Sequence, residues 1–193
     1  MPYVPGSDAT FVKLGPGKIY FGAVGTVEPT DLTAAISTLT GWTYAGFTEE
    51  GHTFTATPSY DSVEVAESLL PIARVKTGTD MTVEMALAEV TSGNVQKALN
   101  GATITATGTG ATAIDTLTPL ADGVTETRVA ILWEADDKSE RWVWRKCLQT
   151  GAVAVGRKKG SAKAPIPLTS ALEPVSSTIR PFVAILKSTA SIT

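Results

Sequence analysis

The residues best suited to chemistry are few. His52 is the only histidine and Cys147 the only cysteine among 193 residues. His52 follows Glu49 and Glu50 closely, so a carboxylate–imidazole acid/base group is the first arrangement to weigh. No second histidine and no convergent nucleophile accompanies it, and the expectation is a strand histidine with a polar tip. One cysteine and one histidine exclude a disulfide framework and a Cys/His zinc site. Cys147 reads as a reduced thiol on a buried or half-buried strand. Glu64, Glu67 and Glu84 qualify as a glycosidase-like pair only at distances that a sequence does not contain, and aromatic residues are too few for a sugar-stacking surface. Gly15-Pro16-Gly17-Lys18 lacks the spacing of a phosphate loop and precedes a strand rather than a helix. Gly108-Thr109-Gly110 is a flexible turn, not a dinucleotide fingerprint. The expectation is a chain without catalytic residues, metal or cofactor.

Charge is more informative in its distribution than in its total. The formal charge is −3 and charged residues make up 18% of the chain. Residues 1–96 hold 11 acids and 4 bases, whereas residues 97–193 hold 8 acids and 12 bases. Acids gather at Glu49, Glu50, Asp61, Glu64 and Glu67, and bases at Arg157, Lys158, Lys159 and Lys163. Two readings stand side by side: separate solvated faces, or unlike surfaces that meet head to tail between copies. The basic run is open to three readings: a solvated loop, a contact to a neighbour's acids, or a nucleic-acid patch. The last lacks interleaved aromatics and sits in a protein of pI near 5.2, unlike a conventional DNA binder.

The elements that must carry these residues are mostly strands. Threonine is abundant, at 29 residues, and with valine and glycine it favours short strands and turns. Residues 1–16, broken by prolines and glycines, read as an N-terminal arm. Residues 17–160 read as a β domain with a long inter-strand loop at about 66–80, and residues 161–193 as an extended segment with a last strand. Strands are expected at Lys18–Val24, from Trp42 in a hairpin-like region closed by Glu49-Glu50-Gly51, from Thr53, and at Ser62–Glu67. In the strand of Met81, Val83, Met85 and Leu87, these four face one way and Glu84 the other. One helix, about residues 92–100, is capped by Thr91 or Ser92 and stopped by Gly101. Residues 102–127 read as one weak strand and a mobile loop. Arg128–Glu134 and Arg141–Gln149 form a hairpin, with Trp142 and Trp144 on one face. Val153 and Val155 start a further strand, Pro165 and Pro167 confine the next segment to an edge or an arm, and Phe182–Leu186 is last. The fold class is therefore mainly β, a sandwich or barrel with one short flanking α-helix and extended terminal arms. The longest apolar runs are about five residues, too short for a bilayer span, and the N-terminus has no secretory pattern.

From residue 41 to residue 101 the order of features becomes specific. Gly41-Trp42-Thr43-Tyr44-Ala45-Gly46-Phe47-Thr48-Glu49-Glu50-Gly51 is followed by Thr53-Phe54-Thr55, Val63-Glu64-Val65 and Pro71-Ile72-Ala73-Arg74. Lys76-Thr77-Gly78-Thr79-Asp80-Met81-Thr82-Val83 and the Ala88–Leu99 helical region complete it. This order, with the opening Leu14-Gly15-Pro16-Gly17-Lys18-Ile19-Tyr20, resembles the major tail tube proteins of long-tailed, non-contractile (siphovirus-type) bacteriophages. The resemblance implies a non-enzymatic subunit that forms stacked hexameric rings around a channel carrying DNA without specific binding. It implies the protein itself as main partner, with tape measure, terminator and distal tail proteins beside it, in a virion tail assembled in the host cytoplasm. On that reading Glu49, Glu50, Glu64, Glu67 and Glu84 are candidates to line the lumen. Leu69, Leu70, Pro71, Ile72, Arg157, Lys158 and Lys159 are candidates for contacts between subunits. The alternatives are another virion protein of similar fold, such as a tail terminator or contractile-tail tube, and a β-rich carbohydrate- or surface-binding module.

Overall fold

A computed structural model describes residues 17–64, 70–156 and 165–187. The expected N-terminal arm, Glu67, Leu69, and the basic run of Arg157, Lys158, Lys159 and Lys163 lie outside the described residues, as does the end of the chain after Lys187. Among the described residues, nine strands and one α-helix follow in order: β1 (Gly17–Ala23), β2 (Trp42–Val63), β3 (Ala73–Leu87), α1 (Ser92–Ala98), β4 (Thr103–Thr107), β5 (Ile114–Thr118), β6 (Val129–Ala135), β7 (Glu140–Gln149), β8 (Ile166–Leu172) and β9 (Phe182–Leu186). Six of the strands close on themselves in the order β6-β1-β2-β3-β8-β7, because β7 pairs with β6 as well as with β8. Every ladder is antiparallel. β9 pairs with the first half of β7, Phe182 opposite Trp144 and Leu186 opposite Glu140, while β8 takes the second half of the same edge. The mainly β barrel with one flanking helix is the architecture expected.

Alternation builds the barrel's interior. Ile19 and Phe21 of β1, Val83, Met85 and Leu87 of β3, Ile131 and Trp133 of β6, and Trp144 and Cys147 of β7 point inward and share one core. Glu84, between Val83 and Met85, is exposed as its parity demands. Trp142 and Trp144 share a face and stack with centroids 6.1 Å apart. The outward face of the β6–β7 hairpin carries a second small core of Leu132 and Val143, covered by Ile36 from the segment between β1 and β2. That segment is tied down by Arg141, whose side chain is fully buried. Its guanidinium donates to Glu134 of the facing strand and, at 2.6 Å each, to the carbonyls of Asp31 and Ala34. Asp31 in turn accepts the backbone N–H groups of Thr33 and Ala34 at 2.7 Å, closing a turn there.

Several boundaries differ from the sequence reading, each for a local reason. β2 is one strand of 22 residues, not a short hairpin followed by two pieces. Between the pairs Thr48–Leu87 and His52–Met85 it carries three residues against one, so Glu49 and Glu50 sit on a bulge, eased by Gly51 at φ +82°. The connection expected at about 66–80 is shorter, because Ala73–Asp80 pair with Val63–Thr57. Residues 102–127 hold two paired strands, β4 and β5, since the turn at Gly108–Thr112 lets the second threonine-rich run fold back on the first. Val153 and Val155 are in no strand. β8 is not an arm, and it lies between β3 and β7 at Ser170 and Ala171 but is a local edge at Pro167. Its Pro167 stands opposite Ala86 of β3, at a level where β7 has already left β8, so the missing N–H costs no ladder bond. α1 is capped by the Thr91 hydroxyl, which accepts from the N–H of Asn94, and it ends before Gly101, whose φ is +104°.

His52, expected with a polar tip, is half-buried and turns its Nδ1 inward. It lies among Trp133, Trp142 and Trp144, with ring centroids 4.4, 5.4 and 5.0 Å away, and its Nδ1 has no hydrogen-bond partner among the described residues. Burial lowers its pKa from 6.5 to about 4, because the cage solvates an imidazolium poorly. The same burial pushes the Cys147 thiol up to about 12, which leaves it inert.

Three measurements test this account of the core. Arg141→Met strands the Glu134 carboxylate in a dry site, and chemical denaturation is expected to register a loss of about 3–5 kcal/mol. Arg128→Ala, at a partly exposed pair with Glu173, is expected to cost about 1 kcal/mol or less. For His52 the folded-state pKa is the lower one, so its contribution is complete above pH 6.5 and is lost as pH falls toward 4. Wild-type protein is expected to lose about 3 kcal/mol over that window, and His52→Phe to remove most of the slope in acid denaturation curves.

Candidate assembly surface

The β2–β3 hairpin outruns the barrel. β1 pairs with β2 only from Trp42 to Phe47, and β8 pairs with β3 only from Thr82 to Leu87. From His52 to Val63 and from Ala73 to Met81, the two strands are paired with each other and with no other described strand. Among the described residues no strand pairs with either outer edge of this ribbon, an arrangement that folded monomers ordinarily avoid.

The ribbon's faces are unlike. One continues the core outward: Phe54 packs on Trp142 and Phe182, and Ala56, Pro58, Val83, Met81 and Thr79 follow on the same side by register. The other carries Thr53, Thr55, Thr57 and Ser59 against Glu84, Thr82, Asp80 and Gly78. That face holds hydroxyls and two carboxylates and no base. Towards the tip, apolar side chains remain in water: Val63, Leu70, Ile72 and Val75 are all exposed, Leu70 to 75%. Surface of this kind needs a cover.

At the opposite end of β2 lies a second exposed group. Between Ile19 and Tyr20 the β1–β2 register slips by one residue. Without the slip, Tyr44 and Phe47 would point to opposite faces; with it both lie outside, with Tyr44 beside Tyr20 and Phe47 edge-on to Tyr44. Gly46 permits the bulge at φ +115°, where a Cβ would come within 2.7 Å of the Glu89 carboxyl carbon.

The acids and apolar residues expected to act do not form one cluster. Glu84 is exposed at mid-hairpin, and Glu49 is half-buried on the β2 bulge beside Glu50, whose side chain lies outside the described residues. Glu64 is exposed just past β2, where it accepts from the Ser62 hydroxyl at 3.4 Å. Along the ribbon it stands roughly 35 Å from the level of Glu84. Leu70, Pro71 and Ile72 are exposed together at the tip. What sequence reading misses is the ribbon itself, because its pairing of Thr57 with Asp80 and of Val63 with Ala73 is long-range. The even alternation of Thr53, Thr55 and Thr57 is the one local signal for it. Among the described residues there is no group of histidine, cysteine and carboxylates able to hold a metal, and no helix is long and apolar enough to cross a membrane.

A barrel with an uncovered two-edged ribbon is a subunit shape, and the family comparison agrees. The family model described as phage tail tube protein matches residues 5–172. The chain belongs to that family. Tail tube proteins are structural components of the virion tail, which build a tube with further tail proteins, and this chain shares that coarse role. No curated protein matches the chain.

Proposed function

We propose that this tail tube protein polymerises with copies of itself as stacked hexameric rings, forming the tube of a non-contractile phage tail through which DNA passes to the host. The observation that carries the reading is the ribbon with two unpaired edges. Ribbons from neighbouring subunits set side by side would complete one another's ladders and close a larger barrel with no free edge. Hexameric symmetry, assembly in the host cytoplasm, and the tape measure, terminator and distal tail partners come from the family resemblance. The reading requires no catalytic residue and no cofactor.

Orientation follows from the two faces. A duplex carries one negative charge per ~1.7 Å of axis, so cations on a channel wall would hold it at every ring. The hydroxyl-and-carboxylate face offers none, and in this reading it looks into the lumen, with Glu84 and Asp80 at its centre. Glu49, Glu50 and Glu64 lie on or beside the same hairpin and are lumen candidates by continuity, and Glu67 is a candidate by its place in the sequence. The tip at Leu70, Pro71 and Ile72, which Leu69 precedes in the sequence, then meets a neighbouring subunit, which covers its apolar side chains. The bases Arg157, Lys158 and Lys159 complement a neighbour's acids, so that the acidic and basic halves of the chain meet between copies.

Electron microscopy of purified protein tests the polymer, with tubes of stacked rings expected. The double substitution Leu70→Ser, Ile72→Ser is expected to change monomer stability by no more than about 0.5 kcal/mol and to shorten or abolish the tubes. Unimpaired tubes would remove the tip from the interface. Asp80→Lys with Glu84→Lys is expected to yield tubes that retain duplex DNA at low salt and release it as salt rises. Tubes that ignore DNA as the wild type does would place this face elsewhere.

A further inference from the structure

The chain contains two asparagines, Asn94 and Asn100, and the second precedes Gly101. Both residues of this dipeptide are required where they stand. Gly101 adopts φ +104°, and a Cβ there would lie 2.4 Å from the Thr127 hydroxyl oxygen. Asn100, at φ +53°, is a staple between three segments. Its Nδ2 donates to the carbonyl of Gln149 at 2.8 Å, and its Oδ1 accepts from the N–H of Gln149 at 2.9 Å. Its own carbonyl accepts from the N–H of Thr127 at 2.8 Å. The side-chain amide thus stands in for a strand partner at the end of β7, which only a group with one donor and one acceptor can do.

The same two demands create a chemically labile pair. In an asparaginyl-glycine bond the following amide nitrogen carries no side chain to shield it. With its proton taken by hydroxide, that nitrogen attacks Cγ of the asparagine. The new N–Cγ bond closes a five-membered succinimide, the Cγ–Nδ2 bond breaks, and ammonia leaves with a proton returned by water. A water molecule then opens the ring at either carbonyl, leaving aspartate or isoaspartate. Nothing is oxidised or reduced.

We propose that Asn100–Gly101 is a deamidation site which the native fold holds closed and which opens only when the chain unfolds. In the folded subunit the attacking nitrogen is occupied, since the Gly101 N–H donates to the carbonyl of Gln96 at 3.0 Å. The target carbon is immobilised by the two bonds to Gln149. Once deamidated, position 100 presents a carboxylate to the Gln149 carbonyl, acceptor against acceptor, and isoaspartate adds a backbone carbon within the left-handed turn. A subunit that lingers unfolded therefore returns to a barrel weakened at the end of β7.

Trypsin separates the two asparagines, with Asn100 in the peptide 98–128 and Asn94 in the peptide 77–97. Full-length protein incubated at mildly alkaline pH, native or in denaturant, is digested and weighed. The expected result is a gain of ~1 Da in the 98–128 peptide of the denatured sample. In the native sample the rate is expected to be lower by about 10³ or more, following the unfolded fraction. The 77–97 peptide, in which Val95 shields the amide next to Asn94, serves as the control. Comparable native and denatured rates would overturn the protection. The variant Asn100→Asp tests the staple. Its neutral carboxyl can still donate and accept, so its folded-state pKa is raised, and its stability is present near pH 4 and lost toward pH 7. The melting temperature relative to wild type is expected to fall across that range. Lys97 of α1, Lys146 of β7, and Glu126 and Arg128 beside Thr127 are common to both chains, as is His52, so the difference isolates position 100. A variant that tracks wild type at every pH would overturn the staple.

Discussion

A strand buried in a closed sheet must find a partner for every backbone donor and acceptor on both edges, because no water reaches them. β7 meets that requirement with three neighbours. β6 runs along one edge, and Asn100 takes over from it beyond Val129, while β9 and β8 divide the other edge between them. Segments far apart in the chain are thereby drawn to one strand. The closed barrel, the tryptophan-lined interior and the position of the helix all depend on this sharing.

Where the requirement is met, the protein can afford unusual groups. A neutral histidine sits among three tryptophans, and a fully buried arginine is held by Glu134 and by the two carbonyls of the segment it fastens. Each is costly in isolation and tolerated because the surrounding ladders fix its neighbours. Where the requirement lapses, along the outer half of the β2–β3 hairpin, the cost is left standing in the free subunit. A ribbon with two open edges and exposed apolar residues at its tip is stable in an assembly and awkward outside one. That contrast between a satisfied barrel and an unsatisfied ribbon is the physical basis of the proposed assembly.

Much of the barrel is legible in local spacing. Parity alone places Met85 and Leu87 inside and Glu84 outside, and puts Trp142 and Trp144 on one face. Thr91 and Gly101 mark the helix ends through local hydrogen bonding and backbone conformation. The misreadings share a cause. Pro167 marks a local edge, but nothing local shows that β7 joins β8 from Ser170 onward. Glu49, Glu50 and Gly51 read as a turn because a wide bulge uses the same residues as a turn. Ala73–Asp80 read as loop because a solvated ribbon has no buried face to impose a pattern. The residues proposed for lumen and subunit contacts are less legible still, since the roles proposed for them lie in surfaces that the free subunit leaves open.

The sequence by itself determined the class of fold, the side of each strand that turns inward, the lack of the cysteines that a disulfide framework needs, and an uneven charge. These are properties of composition and of two- or three-residue spacing, which the chain carries wherever it goes. Tertiary structure alone decided that the barrel closes through β7, that His52 lies among three tryptophans, that Asn100 completes a strand, and that the hairpin projects beyond its partners. Each of these depends on residues far apart in the chain meeting at one place. Backbone pairing is specified by the partner as much as by the strand itself, so no single segment contains the information.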